Sequence, residues 1–296
     1  MQIIYNIVGG LIVAAMTLAL RWIYDKLNAR NFKQFFYDGY GEKFHVIYNS
    51  LESPEGASFS KPKPKVWRSR CFGGINLNNI NSCAETRAVG HLVYAFGKNV
   101  KTAPNIKSDI DVDSDMDLSF ISFGSVTNCK TLDLLDDESN VFLDFDDRNI
   151  VAKASKLPII TFGAESGCDY GLIMKIHPKN NAERTWICCG GFGIWGTSGA
   201  AWYLAHQWRK IRKLAKNKQF ACITKTRFGS DNSTVIKHMF LNSDEIERIA
   251  KEITRNGSSK DKGVETKTTT NITTKTITMT STAVPSQENE AEAGNK

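Results

Sequence analysis

Gly191, Gly193 and Gly196 form a G-x-G-x-x-G pattern with Thr197 directly after it. The pattern follows an apolar run at residues 185–189 and opens a helical one at 197–218. In that context glycines let the chain turn tightly and let a phosphate approach the backbone, while the free N–H groups of a helix start attract an anion. Close packing of a helix on a sheet asks for the same glycines, and Gly199, Ala200 and Ala201 extend the small-residue surface. Spacing alone leaves both readings open.

In residues 185–218 the chain resembles the phosphate-binding turn of Rossmann-like nucleotide-binding domains. The resemblance implies an α/β domain in which Gly191, Gly193, Gly196 and Thr197 hold a nucleotide or another phosphorylated small molecule. Where an NAD site carries an acidic ribose partner, the next strand here ends in Thr224, Lys225, Thr226 and Arg227. Lys225 and Arg227 are therefore either solvated strand-end cations or phosphate contacts of the kind found in NADP sites.

A second turn has similar chemistry. Gly124 and Ser125 close a short apolar run at 118–123, and Asn128 or Thr127 is placed to cap the helix that follows. The alternating Asp109, Asp111, Asp113, Asp115 and Asp117 begin like an EF-hand loop, but Ser114 and Phe120 stand where glycine and glutamate are required. A solvated acidic loop is the default, with Asp113 and Asp115 the residues to try for a weak Mg²⁺ site beside a phosphate. Glu165 and Asp169 are the carboxylates best placed for acid or base work, but no Ser/His/Asp order or nucleophile elbow accompanies them. Binding is thus expected before catalysis. If the chain is an enzyme, nucleotide or nucleotide-sugar hydrolysis is the least strained reaction.

These residues need an α/β scaffold, and the hydrophobic pattern supplies one. Helices are predicted at 83–98, 128–135, 197–218 and 244–255, the last capped by Ser243. Strands are predicted at 118–123, 141–145, 159–162, 170–176, 185–189, 220–226 and 234–241. A polar turn at 178–181 makes a hairpin of two of them, and a Gly-Ser-Asp-Asn-Ser turn makes another near the C-terminal end.

Of the 296 residues, the first 24 form a separate unit. Residues 3–24 are an almost uninterrupted apolar run with Arg21 as its only charge, and would span about 33 Å as a helix, enough for a hydrocarbon core of about 30 Å. Arg21, Lys26, Arg30 and Lys33 follow against Asp25, which places the N-terminus outside and the remainder in the cytoplasm by the positive-inside bias. A cleavable signal peptide and a buried core helix are the alternatives, and both fit the length and flanks less well. Residues 25–65 read as a juxtamembrane segment and linker, 66–256 as the α/β domain, and 257–296 as a disordered threonine-rich tail.

Seven cysteines without C-x-x-C spacing indicate neither a disulfide framework nor a zinc ribbon. The net charge of +7 is too small to imply nucleic acid, whereas the basic face of the 197–218 helix suits an anionic lipid surface or plain solvation. The expectation is a single-pass membrane protein with a cytoplasmic Rossmann-like domain that binds a nucleotide as sensor or effector. The alternative is a membrane-tethered interaction module without a small ligand, which meets a protein partner through its tail.

Overall fold

The computed structural model describes residues 2–36, 44–49 and 83–260. The threonine-rich stretch, most of the segment between 37 and 82, and everything after 260 lie outside the described residues.

Helix α1 (Gln2–Phe36) is one uninterrupted helix of 35 residues, about 50 Å long at 1.5 Å per residue. Its sequence carries no proline, so nothing stops it at residue 24. Large apolar side chains from Tyr5 to Leu27 are 46–71% exposed, whereas Phe32, Phe35 and Phe36 are buried. Among the described residues it is the one helix long and apolar enough to cross a membrane.

The rest is mixed α/β. A seven-stranded sheet has the order β10-β9-β7-β8-β3-β1-β2. Its strands are β1 (His45–Tyr48), β2 (Asn105–Ser108), β3 (Phe120–Phe123), β7 (Cys168–Ile176), β8 (Trp186–Gly191), β9 (Phe220–Arg227) and β10 (Ser230–Phe240). β2, β1, β3 and β8 run parallel, and β7, β9 and β10 then alternate in direction. The sheet is mixed because the 178–181 turn joins β7 directly to β8; so short a link permits only an antiparallel pair. Central β8 is buried along its whole length, which explains its unbroken apolar run.

Helices α2 (Cys83–Val100) and α4 (Ile194–Ala215) cover one face together with the last turns of α1. The other face holds α3 (Cys129–Asp136), α5 (Ser243–Lys260) and a small antiparallel sheet of β4 (Leu143–Asp146), β5 (Asn149–Ala152) and β6 (Pro158–Thr161). The predicted domain start near Val66 falls outside the described residues, yet two parts of the preceding stretch belong to the core. Phe32, Phe35 and Phe36 pack with Phe96, Trp208 and Phe220, and β1 lies inside the main sheet. α5 also runs past the expected end at 256, to Lys260.

Candidate functional site

The two glycine turns meet. β3 and β8 are parallel neighbours, the Gly124 N–H donates to the Cys189 carbonyl at 3.1 Å, and a Cβ on Gly190 would stand 2.8 Å from the Gly124 carbonyl oxygen. Gly124 has a φ of +96°, a left-handed conformation that favours glycine. Beside it, the C-terminal end of β1 presents Asn49, whose N–H donates to the buried Glu85 carboxylate at 2.7 Å. The carboxyl ends of three parallel strands thus share one rim.

Both helix starts at this rim are met by internal carboxylates. Asp169 accepts the Gly196 N–H at 2.7 Å, and Gly193 and Trp195 also offer it their N–H groups. Burial pushes the Asp169 carboxyl above its ordinary value, and those backbone donors pull the other way. At α3, Asn128 is the cap, its side-chain oxygen accepting from Lys130 and Thr131, and the buried Asp109 accepts the Cys129 N–H at 3.0 Å. An anion arriving at either helix start would meet a carboxylate already seated there.

The glycines of the motif pack α4 on the sheet. A Cβ on Gly196 would lie 2.3 Å from the Tyr170 carbonyl oxygen, one on Gly191 2.4 Å from the Thr197 nitrogen, and one on Gly193 2.9 Å from Asp169 Oδ2. Thr197 is buried and Ser125 half-buried. Of the sequence-derived phosphate residues, Gly124, Ser125, Asn128, Gly191, Gly193, Gly196 and Thr197 gather at this end of the sheet.

Lys225 and Arg227 stand at the same end of the sheet, where β9 runs beside the start of β7, with Arg227 opposite Cys168 and Lys225 opposite Tyr170. Lys225 pairs with Glu165 on the sheet face opposite α4, and the Tyr170 hydroxyl donates to the same carboxylate at 3.2 Å. The Lys225 ammonium holds the Glu165 carboxyl below its ordinary value, and burial, with Glu165 beside it, pushes the Tyr170 hydroxyl up to about 12. Arg227 is exposed. Glu165 and Asp169 therefore serve different faces and do not form an acid–base pair.

The aspartate loop is organised by a lysine. The buried Lys130 Nζ donates to the carbonyl oxygens of Asp113 at 2.9 Å and Asp115 at 2.8 Å, and to the Asp133 carboxylate at 3.2 Å. Among the described residues, no group of three or more His, Cys, Asp or Glu side chains is placed to hold a metal ion.

One polar hub has no counterpart in the sequence reading. Asp231, at the start of β10, is buried and receives Arg87 Nη2 at 2.7 Å, His91 Nε2 at 3.0 Å and the Ser198 hydroxyl at 2.6 Å. The Arg87 guanidinium also lies 4.1 Å above the Trp195 ring. The hub ties α2, α4 and β10 together, and Ser198 bonds to the carboxylate rather than to the imidazole. Arg87 and His91, four residues apart on one helix, were the available signal; Asp231 lay hidden in an apparent turn. Comparison with protein-family models, curated proteins and solved structures found no match for the chain.

Proposed function

We propose that the chain is a single-pass membrane protein, N-terminus outside, that holds a Rossmann-like α/β domain in the cytoplasm as a tethered interaction module. The observation that carries the proposal is α1: its exposed apolar side chains and its buried Phe32, Phe35 and Phe36 belong to one unbroken helix. An apolar cylinder of that length in water would be strongly unfavourable, at about 25 cal/mol per Å² of apolar surface, whereas a bilayer solvates it. The flanking charges support the orientation. Asp169 supports the module reading, because the Gly196 N–H that a phosphate would use already has a carboxylate.

The direct test is alkaline carbonate extraction of the expressed full chain. Retention of the intact chain in the membrane pellet is expected, and release of a full-length soluble chain would overturn the proposal.

A nucleotide or phosphorylated small molecule as sensor or effector ligand is the second reading, favoured by the meeting of the Gly124 and Gly191 turns. Thermal shift of the detergent-solubilised full chain against nucleotides separates the two. Stabilisation that grows in Asp169→Asn would favour the ligand, and no shift with any phosphate compound favours the module.

A further inference from the structure

The last turns of α1 cross the α2/α4 layer from the sheet outward. Next to the sheet, the Phe35 carbonyl accepts the buried Lys175 Nζ at 3.0 Å and the Phe35 ring stacks 6.3 Å from Phe220. Midway, Phe32 packs edge-on against Phe96 and Trp208. At the outer rim, Asn28 donates to Asn99 Oδ1 at 2.9 Å and accepts from the exposed Arg209. The helix therefore leaves the domain through the outer surface of α2 and α4, and what lies beyond residue 28 lies on that side.

That surface has a distinct composition. On α4 the His206 ring stacks at 4.8 Å on Trp202, which is half-buried with one side against the core, and across to α2 it stacks on Tyr94 at 5.7 Å. Tyr94 is 55% exposed, and the Lys98 ammonium stands 5.6 Å from its ring. His206 and Tyr94 lie within about one and a half helical turns of Arg209 and Asn99, the residues that flank the exit of α1. Trp22, itself covered by Lys26 at 4.1 Å, stands six positions before Asn28, which is about 9 Å of helix. A headgroup layer is of similar depth, roughly 5–7 Å per leaflet. Tryptophan and tyrosine flanked by lysine and arginine are the side chains that such a layer favours.

We infer that Tyr94, Trp202 and His206, with Lys98 and Arg209, form a footprint that rests on the headgroups of an anionic phospholipid leaflet, so that α1 and this patch fix the domain's orientation on the membrane. The inference rests on the anchoring role proposed for α1. Charge complementarity selects the leaflet: Lys98 and Arg209 are attracted to anionic lipid and little to neutral lipid.

The test uses the full chain in nanodiscs whose lipids carry bromine near the headgroup, with emission of the wild type compared with Trp202→Phe and with Trp22→Phe. The Trp22 difference reads anchoring and the Trp202 difference reads the footprint. With phosphatidylserine present, both differences should be quenched. Neutral lipid, high salt or Lys98→Glu should relieve quenching of Trp202 and leave Trp22 quenched. Quenched Trp22 beside unquenched Trp202 in anionic nanodiscs overturns the footprint alone. Unquenched Trp22 overturns the anchor and the footprint with it.

Discussion

Asp169 is the side chain on which the character of the glycine-rich turn depends. It caps α4 from a strand, accepting the Gly196 N–H across 27 residues of chain. Loss of such a cap costs about 0.5–2 kcal/mol, so Asp169→Ala should lower the denaturation midpoint while Asp169→Asn, which keeps an acceptor, should lower it less. The pH dependence has a definite sign. Because burial raises the folded-state value, the folded protein holds this proton more tightly than the unfolded chain. The associated stability is full below the ordinary carboxylate range and is lost as pH rises through the raised value. Asp169→Asn should flatten that part of the stability profile measured by denaturant titration; an unchanged slope would contradict the assignment. His238 works at the other end of the scale, where burial lowers its value from 6.5. Stability should fall as pH drops from 6.5 toward the lowered value, and His238→Gln should reduce that fall. A hidden carboxylate of this kind explains why the turn suggested a phosphate site: glycine spacing marks close backbone approach but does not record what approaches. The partners that Asp231, Glu85 and Asp109 meet escaped notice for the same reason, since they are distant in sequence.

At the scale of elements, α4 and its glycines set how closely helix and sheet approach. A Cβ on Gly199 would lie 2.1 Å from Thr226 Oγ1 and 2.6 Å from Thr234 Oγ1, in the interior of the domain. Gly199→Ala should destabilise by about 1–3 kcal/mol or more, whereas Gly97→Ala, in α2 with nothing within 4 Å, should be neutral or stabilise by up to about 1 kcal/mol. Equal thermal shifts for the two would show that close packing is not the role of Gly199. The long helices and buried strands were legible because an apolar period survives over many residues: 83–98 and 197–218 match α2 and α4 within a few residues. β1, β2 and β5 were not legible. β3, β4 and β6 are equally short, but β1 sits beside a stretch whose prolines and lysines suggest a linker, β2 reads Asn-Ile-Lys-Ser with a single apolar residue, and β5 follows directly on the turn after β4. The sheet's mixed direction was implicit in the hairpin at 178–181, but the strand order depends on packing between distant segments and leaves no local pattern.

For the whole molecule, α1 is at once a membrane-length helix and part of the core. The sequence displayed its apolar run and flanking charges, but the burial of Phe32, Phe35 and Phe36 emerges only when α2, α4 and the sheet close around them. Phe32→Ala should cost about 3–5 kcal/mol of domain stability and leave membrane insertion intact, so proteolysis of the domain should accelerate while carbonate extraction is unchanged. If both are unchanged, α1 and the domain are not coupled as described. The orientation of α1 and the domain is read most directly by protease protection of the full chain in sealed microsomes, with an epitope tag at each end. External protease should remove the C-terminal tag and digest the α/β domain while the N-terminal tag stays protected until detergent is added. A C-terminal tag that survives until the membrane is dissolved would contradict that orientation.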